Sequence, residues 1–196
     1  MTVPSDFWMQ TFSGLAFTPS DPQGDQIVLT DIAQGLAHTA RYCGQTRRFY
    51  SVAEHCVHLA RYALEHHGLQ AARIALMHDA AEAYICDIPR PLKMLLPGYK
   101  MLEARVEKVI ADRFGLPSLS DPYVKKLDDR ILEDERRVLL CDPPRPWTPR
   151  EPLGIRISPE ALGCWREDFL TLADELGIRE MTPTLILPPW SEVCGG

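Results

Sequence analysis

The chain has 196 residues, 45% of them apolar and 24% charged, a length and composition that suit one globular domain with a sizeable core. With 27 acidic and 21 basic side chains its formal charge is −6, so its overall field repels a nucleic-acid backbone. A coat for long nucleic acid is thereby excluded, and an anionic substrate needs a local cluster of cations or a metal ion. No stretch approaches the roughly 20 apolar residues of a membrane span, and Met1 to Trp8 lacks the features of a signal peptide, so a cytoplasmic protein is expected.

Most of the 17 prolines cluster in the first 25 residues, at Pro89 and Pro91, between Asp142 and Pro152, and in a pair near the C-terminus. Short apolar pieces separated by turn residues over 11–30 predict a small β-hairpin. The period then becomes helical. Asp31 suits an N-cap, with Ile32, Leu36, Ala40 and Cys43 near one face and Gly44 as the stop. Ser51 and Glu54 have capping-box spacing, and Val52, Cys56, Leu59, Ala60 and Ala63 form the stripe of a second helix that Gly68 ends. A third, buried helix is predicted over 70–84, a fourth over 99–114 and a fifth over 121–140. Residues 142–152, with five prolines, read as an extended connection. Ser158 and Pro159 suit the cap and first position of a last helix running to about Leu176. The six cysteines form no C-x-x-C pair and read as small buried hydrophobes.

Chemistry concentrates in one run, Met77-His78-Asp79-Ala80-Ala81-Glu82, continuing through Asp87-Ile88-Pro89-Arg90-Pro91-Leu92-Lys93. An Asp inside an apolar helix is costly to bury unless it is paired or metal-bound. Helical spacing puts His78, Asp79 and Glu82 on one face, where three ionisable groups call for a common partner. A divalent cation fits, with His55 of the preceding helix as a second imidazole and a carboxylate from Lys125-Lys126-Leu127-Asp128-Asp129-Arg130 as a further ligand.

The order His55, His78-Asp79, Asp128 resembles the HD-domain phosphohydrolase superfamily. The segments Tyr50-Ser51-Val52-Ala53-Glu54-His55, His78-Asp79-x-x-Glu82 and Asp87 to Lys93 are similar to bacterial 5′-deoxynucleotidases of that superfamily, and more so to phage dATP triphosphohydrolases. Thr11-x-x-Gly14, Asp31-Ile32-Ala33 and Arg41-Tyr42-Cys43-Gly44 extend the likeness, which covers roughly residues 11–140. It implies an all-α, HD-domain helical bundle with a small N-terminal hairpin. The domain spans 1–196, with a core over about 30–140 and a Pro-rich connection and C-terminal helix over 141–196.

The resemblance further implies His55, His78, Asp79 and Asp128 as ligands of a divalent ion (Co, Mn, Zn, Fe or Ni, with Mg beside a triphosphate). Asp128 is preferred to Asp129 by its place after Val124-Lys125. Glu82 and Asp87 are implied as catalytic carboxylates that orient or deprotonate water or protonate the leaving oxygen, the labour between them undivided. Arg41, Tyr42 and Lys93 are implied as substrate contacts: cations for phosphate, and an aromatic face for the nucleoside where relatives carry an aromatic residue. The implied reaction converts dATP and water to deoxyadenosine and triphosphate. Its alternatives are release of phosphate from deoxynucleoside monophosphates, or a non-catalytic nucleotide-binding scaffold. The partner is a small deoxynucleotide rather than a membrane or long nucleic acid, the assembly a homo-oligomer such as a dimer or hexamer, and the compartment the cytoplasm, or the host's if phage-encoded.

Three other groups of residues have plainer readings. Arg47 and Arg48 reach distal phosphates or are a solvated loop pair. His58 is a core or outer-layer histidine, and His38, His66 and His67 are surface or capping groups. Phe7, Trp8, Trp147, Trp165 and Trp190 read as packing residues.

Overall fold

A computed structural model describes residues 7–160 and 163–181. Trp190, Cys194 and the C-terminal Pro188-Pro189 pair lie outside the described residues. Elements follow in chain order as β1 (Met9–Gln10), β2 (Ala16–Phe17), α1 (Leu29–His38), α2 (Val52–His67), α3 (Leu69–Met77), α4 (Glu82–Ile85), α5 (Arg90–Lys93), α6 (Tyr99–Arg113), α7 (Pro122–Leu139) and α8 (Trp165–Glu175). The mostly helical expectation holds, with one antiparallel pair that matches Met9 to Phe17 and Gln10 to Ala16. Ile27 to Leu29, expected within the hairpin region, instead leads from a 3-10 turn at Gly24–Gln26 into α1.

Helix α2 runs through the middle of the core. Val52, Ala53, Cys56, Val57, Leu59, Ala60 and Ala63 are all fully buried, and α1, α3, α7 and α8 pack around it. Its start is fixed as the spacing predicts: Ser51 Oγ accepts from the Glu54 backbone N–H at 3.0 Å, satisfying a donor that the first turn leaves open. The reciprocal half of the box is not made. The Glu54 carboxylate turns to Arg48, which grips both its oxygens at 2.8 and 2.7 Å while donating to the Ser158 carbonyl. Arg48 therefore acts as a structural cation rather than a solvated one, its side chain largely buried. Gly68, at φ 84°, turns α2 directly into α3.

Several boundaries differ from the sequence reading for local reasons. Helix α1 starts at Leu29, so Asp31 lies in the first turn, where it accepts from Ser13 N–H and Ser13 Oγ–H at 2.7 Å each and ties the hairpin to the helix. It stops at His38, because Ala40 bridges to Ser51 and the Arg41–Gly44 turn holds Tyr42 and Cys43 at φ 57° and 52°. Helix α8 begins at Trp165, not Pro159. The Pro-rich connection is extended and pinned to α7: the Leu153 and Gly154 N–H groups donate to buried Asp134, and Arg130 donates to the Glu151 and Pro152 carbonyls. The cysteines are corrected too. Cys56 is buried, but Cys43, Cys86, Cys141 and Cys164 are exposed, sitting in turns and connections rather than on apolar stripes.

The correction that matters most for chemistry is the break after Met77. His78 and Ala81 keep helical dihedrals, but the segment bonds in the tighter i to i−3 pattern, Ala80 N–H to Met77 O at 2.9 Å and Glu82 N–H to Asp79 O at 2.9 Å. A tighter pitch of this kind favours positions three apart, here Asp79 and Glu82, over positions four apart on one face. Gly35 of α1 makes room for the α4 turn that follows. A Cβ there would lie 2.8 Å from both Ala83 Cβ and Ala83 O.

Candidate metal centre

Four donor atoms from three elements converge. His55 projects from buried α2, His78 and Asp79 from the tightened turn after α3, and Asp128 from α7. His55 Nε2 lies 3.3 Å from His78 Nε2, 3.3 Å from Asp128 Oδ1 and 3.8 Å from Asp79 Oδ2. His78 Nε2 lies 3.1 Å from Asp79 Oδ2 and 4.0 Å from Asp128 Oδ1. Asp128 is buried in this cluster, whereas Asp129 faces outward and pairs with Arg90 at 2.6 Å and Lys125 at 3.9 Å.

The hydrogen bonds on the far sides of both rings show what the cluster lacks. His55 Nδ1 faces Glu135 Oε1 at 2.6 Å, and His78 Nδ1 faces the Ala75 carbonyl at 2.8 Å. Both partners are acceptors, so each ring in its neutral form carries its proton on Nδ1 and turns a bare lone pair inward. Two lone pairs 3.3 Å apart, with two carboxylate oxygens beside them, repel unless a proton or cation lies among them. His55, His78 and Asp128 offer atoms all within 4.8 Å of one another, a grouping that could hold a metal ion, and two imidazoles with carboxylates suit a first-row divalent ion. The residues present therefore fit the cation.

The charges respond to one another. Burial opposes a charged His78 ring, but the adjoining Asp79 carboxylate outweighs it and holds the ring well above the ordinary imidazole range. Burial likewise pushes Asp79 and Asp128 up, and the imidazoles reverse it, leaving both below the usual carboxylate range. For Glu82 the pull of Arg41 and Lys93 is not enough. Burial, then Asp79 and Asp87, raise it well above normal, and its Oε2 is buried with no hydrogen-bond partner. Asp87 is half-buried and raised chiefly by burial, against the pull of Arg41.

The cations expected to meet substrate sit differently. Arg41 is buried with one terminal nitrogen 3.2 Å from Asp79 Oδ2, the other 3.9 Å from Asp128 Oδ1, and Nε 3.7 Å from Glu135 Oε2. Tyr42 donates its hydroxyl to Glu135 Oε2 at 2.5 Å. Lys93 bonds Glu103 at 2.6 Å and stands 3.6 Å from Glu82 Oε1. A cavity of about 470 Å³ opens between α5, α6 and α7, with His78, Asp79 and Asp128 in its wall, joined by Arg90, Lys93, Lys100 and Lys125 and by Glu103 and Glu107. Arg41 and Tyr42 are not part of that wall. His58 is held by Glu54 at 3.7 Å and by the Trp165 ring, away from the four donors.

Sequence reasoning missed Glu135, Arg90 and Lys125. Glu135 had a signal, since it stands two helical turns after Asp128 and so shares its face of α7. No helix of the described residues is long and apolar enough to cross a membrane.

No protein-family model matches the chain. An uncharacterized protein of Rhodobacter capsulatus is 36% identical over 125 residues, covering 61% of this chain and 64% of that protein. The uncharacterized protein YfdR of Escherichia coli K12 is 41% identical over 175 residues, covering 85% of this chain and 96% of YfdR. Likeness of that extent makes the chain a member of the YfdR family.

Proposed function

We propose that the chain is a metal-dependent deoxynucleotide phosphohydrolase of the HD-domain type, with dATP as substrate and deoxyadenosine and triphosphate as products. The observation that carries this reading is the cluster of four converging donors, three of which, His78, Asp79 and Asp128, stand in the wall of a nucleotide-sized cavity, with a buried Glu82 oxygen nearby that has no hydrogen-bond partner. His55, His78, Asp79 and Asp128 would hold the ion, which when bound supplies Lewis-acid polarisation of a phosphate oxygen. Lys93 and Arg90 line the same cavity and supply positive charge for the phosphate chain. Glu82 and Asp87 manage protons. One takes the proton of the attacking water as its oxygen bonds to the α-phosphorus, and a proton passes to O5′ as the bond from phosphorus to that oxygen breaks. A scaffold that merely binds nucleotide has no use for a buried carboxyl with one oxygen left without a hydrogen bond at this point.

A second reading, hydrolysis of deoxynucleoside monophosphates, has an observation of its own. Lys93 is engaged by Glu103, Arg90 by Asp129 and Lys125 by Asp128, which leaves less free positive charge than a triphosphate demands. The test incubates purified protein with each dNTP and dNMP in the presence of Mn²⁺, Co²⁺, Zn²⁺ or Mg²⁺ and identifies the products. Triphosphate and deoxyadenosine from dATP support the first reading, and orthophosphate from monophosphates the second. No nucleoside from any of them refutes both.

A further inference from the structure

We propose that Glu135 is a positioning residue that fixes the tautomer of His55 and thereby keeps its Nε2 free for the cation, an inference that rests on reading the four-donor cluster as a metal centre. Glu135 is fully buried on α7. Its Oε1 accepts from His55 Nδ1 at 2.6 Å and from the Tyr50 hydroxyl at 2.9 Å, and its Oε2 accepts from the Tyr42 hydroxyl at 2.5 Å, with Arg41 Nε at 3.7 Å. A buried carboxylate is tolerable only when its oxygens are satisfied in this way. The two tyrosines and the arginine lie on the 41–50 segment, so one carboxylate ties that segment to the histidine.

The decisive point is a competition for one proton. Neutral His55 has acceptors on both sides: Glu135 at Nδ1, and Asp128 Oδ1 at 3.3 Å with Asp79 Oδ2 at 3.8 Å at Nε2. With the proton on Nε2, the ring would donate to Asp128 and the inward lone pair would be gone. The shorter contact to Glu135 draws the proton outward and leaves the ligand atom bare. Glu135 thus serves the cation without touching it.

Two measurements decide this, one of which needs no metal. Long-range ¹H–¹⁵N NMR of metal-free, histidine-labelled protein at about pH 8 reads which ring nitrogen of His55 carries the proton. The expected result is Nδ1–H in the wild type and a shift toward Nε2–H in Glu135→Gln. Calorimetric titration with Mn²⁺ or Co²⁺ should show Glu135→Gln binding about 10- to 100-fold more weakly. Tyr50→Phe, which removes a donor from the same oxygen without freeing the ring, should stay within about threefold of wild type, well inside that range. Nε2–H in the wild type, or wild-type metal affinity in Glu135→Gln, overturns the proposal, and the wild-type spectrum decides it even if that variant fails to fold. A wild type that binds no metal while keeping Nδ1–H would instead refute the metal-centre reading and leave the Glu135 contact standing.

Discussion

Glu107, on the cavity wall one turn beyond Glu103, carries the residue-scale consequence of crowding acids around a half-buried space. Burial, then Glu103 and Asp79, push its carboxyl from the ordinary 4.5 to about 7, against the pull of Lys93. The folded chain therefore holds a proton that the unfolded chain releases between those values, so stability falls as pH rises from 4.5 to 7 and is flat above. Glu107→Gln mimics the protonated form. In metal-free buffer it should match wild type at the acid end of that window and exceed it by about 1 kcal/mol above pH 7, the group being exposed enough for solvent to screen most of the effect. Urea midpoints at both ends check this, and a constant difference across the window would count against it. Strain is the other residue-scale feature. Among the described residues, the non-glycine ones with positive φ are Tyr42, Cys43 and Cys86, the first two next to or near Arg41 and the last adjoining Asp87. Cys86, at φ 67° and ψ 153°, occupies a region nearly reserved for glycine, at a cost of about 1–3 kcal/mol. Distorted backbone thus brackets both ends of the site.

At the scale of elements, the site depends on how closely α1 approaches α4. Gly35 has ordinary helical dihedrals, so its need for glycine is steric: an added methyl would sit 2.8 Å from the backbone oxygen and side chain of Ala83, the residue after Glu82. Gly35→Ala should lose about 1–2 kcal/mol, because overpacking outweighs the gain of roughly 1 kcal/mol in helix propensity. Thermal unfolding should show a Tm lower by roughly 3–6 °C. An unchanged or raised Tm would mean the two helices part without cost. This contact also marks the limit of what the sequence discloses. The α2 stripe, the Ser51 cap and the Gly68 stop are periodic or local signals, and they are legible. So are His78 and Asp79, because ionisable groups among apolar neighbours stand out, whereas Asp128, in a run of charged residues, is singled out only by the resemblance. The 3-10 turn at 78–81 is not legible, since alanine-rich sequence suits either helical pitch and α1 packing against Ala83 contributes to where α4 lies. Arg48 gripping Glu54 and Glu135 gripping His55 are equally silent, for each is a pairing across the fold that linear spacing does not encode.

At the scale of the whole molecule, the donors are spread from residue 55 to residue 128 and meet only when α2, the turn after α3 and α7 are packed together. An ion at this cluster therefore binds the folded chain and hardly the unfolded one, and it should stabilise the protein by mass action. At a free metal concentration of 100 times Kd the gain is about 2.7 kcal/mol, or a rise in Tm of roughly 5–10 °C that EDTA reverses. The pH dependence has a definite sign. Without metal, the raised His78 pKa means that its bound proton stabilises the fold fully below the ordinary imidazole value, and this stability is lost as pH climbs through the raised one. An ion must displace that proton, so metal affinity grows with pH and the Tm gap between metal-loaded and metal-free protein widens. Asp128→Asn should abolish most of the metal-dependent rise, whereas Asp129→Asn should keep it, because Asp129 pairs with Arg90 and offers nothing to the cluster. Differential scanning fluorimetry across pH with Mn²⁺ or EDTA separates these outcomes. A shift of equal size in wild type and Asp128→Asn would place the ion elsewhere on this acidic chain, because a cluster robbed of one of its two carboxylates cannot hold a divalent cation equally well.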